Sequence, residues 1–364
     1  MRVLLRTLVV CMLFAAPAVA APPPKVIKAE DGIFTAFQSH ALVGLGEWHG
    51  LAQEVDFYAA LVRDPRFARD VGNIVLETGS AAQQSVVDRY VNGEQVPYAE
   101  LRKVWADTVG MFPTVSDLGA INLYASIRSV NLGLPPANRI KVWLGDPPID
   151  WPQVKTKDQW QVLENQRDSY PAALIEREIL GKGRKALVIY GAAHFAKYPG
   201  GLALSSPVVS ERSLNMRARL DNKHPGALYV ITPYIGYTDA ACAEKFEKDF
   251  PGASAPALVS PIRGSALEAD VASPGCYPIT KIPQVSQEEY ELSAHQFAGL
   301  DSDALLYLGP RKSLTESPDV PDLYLDLEFR AEMDRRLRLR LGSGLKEIPE
   351  PWGNPSVAQP MFEN

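Results

Sequence analysis

Four short runs rich in β-branched and aliphatic residues, 41–46, 73–77, 140–144 and 186–190, are separated by longer segments whose apolar residues recur at helical spacing. No other feature constrains the fold as much. Strands joined by helical crossovers build a mainly parallel sheet flanked by helices, an α/β fold. The predicted helices between the runs cover 53–63, with Val55, Tyr58, Ala59 and Val62 on one face, then 81–91, 118–130 and 158–180. Ser80-Ala81-Ala82-Gln83 reads as a capping box at the start of the second, and Pro171 predicts a kink in the last. Beyond Gly200 the pattern weakens to a helix over 212–220, strands over 227–232 and 304–308, and a helix from Asp322 to about Leu341. The stretch 234–300 is dense in Gly, Pro and Ser and reads as a loop-rich insertion in the C-terminal half with little regular structure. Residues 346–364 read as a Pro-rich tail. Residues 21–345 are then expected to form a single α/β domain.

The charge balance limits partners. The chain carries 43 acidic against 37 basic residues, a net charge of -6, which opposes the basic footprint of a nucleic-acid binder. Residues 1–20 follow the plan of a secretory signal, with Arg2 and Arg6, an apolar stretch from Leu8 to Ala16, and Ala18-Val19-Ala20 as the small-residue cleavage site. A periplasmic or secreted product is expected. No later run reaches the roughly 18 apolar residues of a stable membrane span. Cys242 and Cys276 would remain after processing, and an even pair in an oxidising compartment predicts one disulfide. Arg330, Arg335, Arg336, Arg338 and Arg340, interspersed with Glu328, Glu332 and Asp334, read as a solvated helix face.

Open α/β sheets bind ligands outside the carboxyl ends of their strands, and all four ends carry an acid or a histidine. The first run leads into Gly46-Glu47-Trp48-His49-Gly50, the second ends at Glu77, the third at Asp146, and the fourth leads into Gly191-Ala192-Ala193-His194. Glu47 and His49 are two apart, so on an extended backbone they point to the same side. Glu54, on the first turn of the next helix, is placed to reach the same crevice. There is no G-x-S-x-G elbow, no phosphate-binding Walker loop and no complete G-x-G-x-x-G, which opposes an α/β serine hydrolase and a nucleotide-binding protein.

Gly46-x-x-His49 and Gly191-x-x-His194, with Glu77 between them, resemble the paired GxxH motifs and glutamate of the Tiki/TraB metalloprotease group. Gly46-Glu47-x-His49, with Arg167-Asp168 on the helix before the last motif, is similar to ChaN-type haem-binding uptake proteins. The same stretch resembles, one residue shorter, the GE-x-x-HG motif of erythromycin esterases. The resemblance covers about residues 38–200 and implies a strand-end site for a small-molecule or peptide substrate. In a metal-assisted hydrolase of ester or amide bonds, His49, His194, Glu47, Glu77 and Asp146 would supply the ligands of a zinc, manganese or cobalt ion, with the glutamate left over as general base. Arg167 would stabilise an oxyanion if it faces the crevice, and otherwise forms a structural bridge. In a metal-free esterase, His49 would accept the proton from water while Glu47 or Glu77 fixes its tautomer. In a haem-binding protein without catalysis, Tyr190, Tyr198, His49 or His194 would be the axial ligand.

Overall fold

The computed structural model describes residues 21–196, 214–235, 240–249, 254–271 and 302–345. One mixed, mostly parallel sheet organises them, built from β1 (Lys25–Lys28), β2 (Leu42–Glu47), β3 (Asn73–Ser80), β4 (Lys141–Asp146), β5 (Ala186–Gly191), β6 (Leu228–Pro233), β7 (Ala257–Ser260) and β8 (Ala304–Tyr307) in the order β1-β7-β8-β6-β2-β5-β3-β4. β2 and β5 are buried along their whole length, as central parallel strands covered on both faces must be. Full burial of each large aliphatic side chain, such as Leu42, Val43 and Leu45 on β2, contributes roughly 1.5–3 kcal/mol. The pairs β2–β5, β2–β6, β3–β4, β3–β5 and β6–β8 are parallel, whereas β7 runs antiparallel to β1 and β8.

The four N-terminal runs and the strands expected near 227–232 and 304–308 are all present, within three residues of their expected ends; the largest difference is at β3, which continues to Ser80. Preceding them, α1 (Ala29–Ser39) follows the unanticipated edge strand β1. The crossovers include α2 (Ala52–Arg63), α3 (Gln84–Val91) and the helix Leu118–Leu132. Several local expectations are corrected. Ser80 makes no capping bond; its hydroxyl is buried without a partner, and one turn of 3-10 helix precedes α3. The reciprocal capping box lies instead at Thr156 and Gln159, at the start of the helix Lys157–Glu164. The segment 158–180 breaks at 165–168, ahead of Pro171, which sits in the first turn of the helix Ser169–Glu178 where its missing N–H has no helical partner to lose.

Part of the expected loop-rich insertion is regular. The helices Ala240–Asp249 and Ala266–Val271 flank β7, which fills the sheet between β1 and β8. The C-terminal helix Leu327–Leu341 is also more than a solvated face. Arg335 and Arg338 pair with acids on its outer side, but Arg336 and Arg340 are only 7% and 4% exposed. Arg336 donates to the Ala106 carbonyl and Asp107 and lies over Trp151; Arg340 donates to the carbonyls of Gly110 and Phe112 and lies over Trp160. Both replace solvent with carbonyl acceptors and aromatic faces, which makes a buried guanidinium tolerable. Residues 1–20, Tyr198, Cys276 and 346–364 lie outside the described residues. No helix among the described residues is long and apolar enough to cross a membrane.

Candidate active site

In the register of the two central strands Glu47 stands beside Gly191, so the turn that follows β2 hangs His49 over the end of β5. His49 Nδ1 lies 3.5 Å from Glu47 Oε1, and its Nε2 edge faces Gly191. A Cβ at residue 191 would stand 2.8 Å from His49 Nε2 and 3.4 Å from Glu77 Oε2, so only glycine leaves room for the imidazole there. Gly191→Ala is therefore expected to push the ring out of line and cut any activity that depends on His49 at least tenfold at unchanged fold, read from turnover beside circular dichroism; an unaffected rate contradicts this placement.

The Glu47 side chain is buried, whereas a third of the His49 side chain is open to solvent. Burial pulls the imidazole pKa down, but the Glu47 carboxylate, followed by the charge of Glu77, outweighs it and raises the pKa to about 9. Glu54 closes the turn from below, accepting from the Trp48 N–H at 2.9 Å and from the Tyr58 hydroxyl at 2.6 Å. Burial and the Glu47 charge push its carboxyl well up. Asp117 caps the helix Leu118–Leu132 by accepting from Ala120, and the same two causes raise it to about 6. Sequence reasoning missed Asp117, because its spacing from the strand-end motifs carries no periodic signal. A C-terminal segment then crosses the turn: Ser317 donates to the Gly50 carbonyl at 2.7 Å, Ala52 donates to Thr315, and Gln53 is bonded to Thr315 through its side chain.

Glu77, which faces the same side of Gly191, belongs to a second group of charges. Glu77 accepts from the Gly191 N–H at 2.6 Å, from Arg167, and lies 3.1 Å from His194 Nε2. His194 Nδ1 lies 2.7 Å from Asp168, which also receives the N–H of Met216 at the start of the helix Met216–Lys223. With a carboxylate at each ring nitrogen, His194 is held as imidazolium: burial lowers its pKa, but Glu77 and Asp168 outweigh this and raise it to about 10. Burial alone would raise Glu77, yet His194 and Arg167 hold its carboxyl far below the usual range. Arg167 contacts Glu77, Glu164 at 3.2 Å and Asp146 at 3.4 Å. Asp146 lies behind it, accepting from the Val109 N–H, and burial pushes its carboxyl up to about 7. Arg167 is thus the structural bridge of the two roles considered for it, with its guanidinium committed to carboxylates.

The donors expected around a metal ion do not fit one. Both nitrogens of His194 face carboxylates, both oxygens of Glu77 are bonded, and the Arg167 guanidinium stands between Glu77 and Asp146 where a divalent cation would meet like charge. Among the described residues no group of three or more His, Cys, Asp and Glu is arranged to hold a metal. Tyr190 is also corrected as an iron ligand: its hydroxyl is buried, packed where a side chain on Gly145 would stand, and its ring belongs to the core against His194.

No family model matches the chain, and no curated protein matches it in sequence. Solved structures similar to it in fold include a Bacillus cereus protein at 12% identity, covering 79% of this chain and 94% of that one with a TM-score of 0.47. They also include an erythromycin esterase mutant in its open conformation, at 15% identity over 56% of this chain and 72% of that one with a TM-score of 0.37. A third is ChaN of Campylobacter jejuni with cofacially bound haem, at 13% identity over 57% of this chain and 86% of that one with a TM-score of 0.33. At these identities the likeness is one of fold alone.

Proposed function

We propose that the chain hydrolyses ester or amide bonds of a small-molecule or peptide substrate with His49 as general base and then general acid, backed by Glu47 and without a resident metal. The observation that carries this reading is the contrast between the two histidines. His194 is clamped between Glu77 and Asp168, whereas His49 has one buried carboxylate beside Nδ1 and a side chain one third open to solvent. In the proposed reaction the neutral imidazole takes a proton from water at Nε2 as the water oxygen attacks the carbonyl carbon. The resulting imidazolium is stabilised by Glu47, and returns that proton to the leaving oxygen or nitrogen as the scissile bond breaks. The leader-like stretch from Arg2 to Ala20 supports a place for this chemistry outside the cytoplasm.

The His49 pKa sets the pH profile. An imidazole held to about 9 is mostly protonated at neutral pH, so ester hydrolysis is expected to rise with pH and level off above about 9. Glu47 is the main group raising that value, so in Glu47→Gln the rising limb should move down toward the ordinary histidine range of about 6.5. A limb that stays in place contradicts the pair. A panel of aryl and alkyl esters assayed before and after exhaustive chelation tests the rest. Unchanged turnover is expected; activity lost to the chelator and restored by zinc, manganese or cobalt would return the metal-assisted reading.

A further inference from the structure

At the opposite end of the sheet from His49, a cavity of about 700 Å³ opens beside the first residues of β3 and β4 and the turn that leads into β5. Arg69, Arg139, Lys141, Lys182 and Arg184 line it, together with Trp143. The chain as a whole has more acids than bases, yet no acid is among the residues that line this cavity. The compensating carboxylates stand outside the lining: Asp70 on Arg69 at 2.8 Å, Asp88 on Lys141 at 2.6 Å and Glu178 on Lys182 at 2.5 Å. Arg139 and Arg184 are held by backbone carbonyls instead, Arg139 by Leu134 and Asn92, Arg184 by Glu178. A guanidinium bonded to a neutral carbonyl is oriented without being neutralised.

We infer that this cavity is a second ligand site, selective for a small molecule that carries two or more phosphate groups. Three separate chain segments bring five cations to one concave wall, and the planar forks of two arginines match phosphate oxygens in pairs. The volume is that of a small-ligand pocket, and the cations surround one hollow, whereas a nucleic-acid footprint would extend along a stripe. β3 and β5 run parallel for six to eight residues between this cavity and the His49 crevice, a separation of roughly 20 Å. The two sites are therefore independent, and this inference does not rest on the proposed hydrolase reading.

Calorimetric titration of the full chain with inorganic pyrophosphate, at low and at physiological salt, tests it. One site per chain is expected, weakened at least tenfold in Lys182→Gln/Arg184→Gln and unchanged in Arg335→Gln, a surface variant remote from the cavity. Ester turnover in the double variant is expected to stay at its original level, so failure of this inference and failure of the hydrolase reading are separable. No heat of binding at millimolar pyrophosphate overturns the inference. So does an equal loss in Arg335→Gln, which would mean binding to surface charge in general, and so does full binding by the double variant.

Discussion

His49→Ala is expected to lower ester or amide hydrolysis by about 10²- to 10⁴-fold, the usual worth of a positioned acid-base group. The fold should survive, because a third of this side chain is open to solvent and, among the described residues, it forms no hydrogen bond, Glu47 standing 3.5 Å away. The variant separates two roles that the strand-end motifs leave entangled. If His49 does the proton transfer, alanine at this position abolishes the pH limb near 9 along with the rate, while denaturation by urea stays close to the parent. His194→Ala should behave in the opposite sense: it removes a cation bonded to two carboxylates, so its first effect is on stability, and any loss of rate follows from Glu77 losing its position. Equal turnover by the parent and His49→Ala contradicts the assignment outright.

The second large effect is expected from Arg167→Met, at about 3–5 kcal/mol of stability, the cost of stripping one partner from a buried ion pair. Methionine fills much of the same volume but leaves Glu77 and Asp146, each 1–2% exposed, without their guanidinium. The midpoint of urea denaturation reads this directly; a shift below about 1 kcal/mol would mean that Arg167 is not what neutralises these acids. The pH dependence of the parent follows from the same clamp. Glu77 is depressed in the folded chain, so its contribution is present above its unfolded value of about 4.5 and is lost as pH falls through the lower folded value. His194 is raised, so its contribution is complete below about 6.5 and is lost as pH rises through about 10. Both are at full strength between about pH 4.5 and 6.5, the window in which this clamp contributes most to stability.

The parallel sheet was legible in the sequence because its central strands are short apolar runs with Gly or acid at their carboxyl ends, a pattern that only two-sided burial and a strand-end site explain together. The pairing of Glu47 with His49 was legible for a local reason, the two-residue spacing on an extended backbone. What could not be read was every arrangement set by distant segments. Asp117, Thr315 and Ser317 approach the turn after β2 from far along the chain, and nothing in their neighbours signals it. The charge states of the donors were hidden for the same reason. His49 and His194 have similar motifs, but one meets a single carboxylate and the other meets two. β1 and β7 escaped notice because each is a four-residue strand set against prolines, β1 after Pro22-Pro23-Pro24 and β7 between Pro256 and Pro261. Arg336 and Arg340 looked solvated because composition alone does not show which carbonyls and tryptophans await them.

Those two arginines, with the segment that crosses the turn after β2, also set an order of assembly. Every side chain assigned to the proton transfer lies before residue 195, but the groups that hold the surrounding loops lie beyond residue 312. During synthesis the Glu47–His49 pair leaves the ribosome more than a hundred residues ahead of its supports, and these contacts, made across more than two hundred residues, are slow to close. A nascent or truncated chain thus carries the Glu47–His49 pair without its enclosure, which is completed only with the last helix.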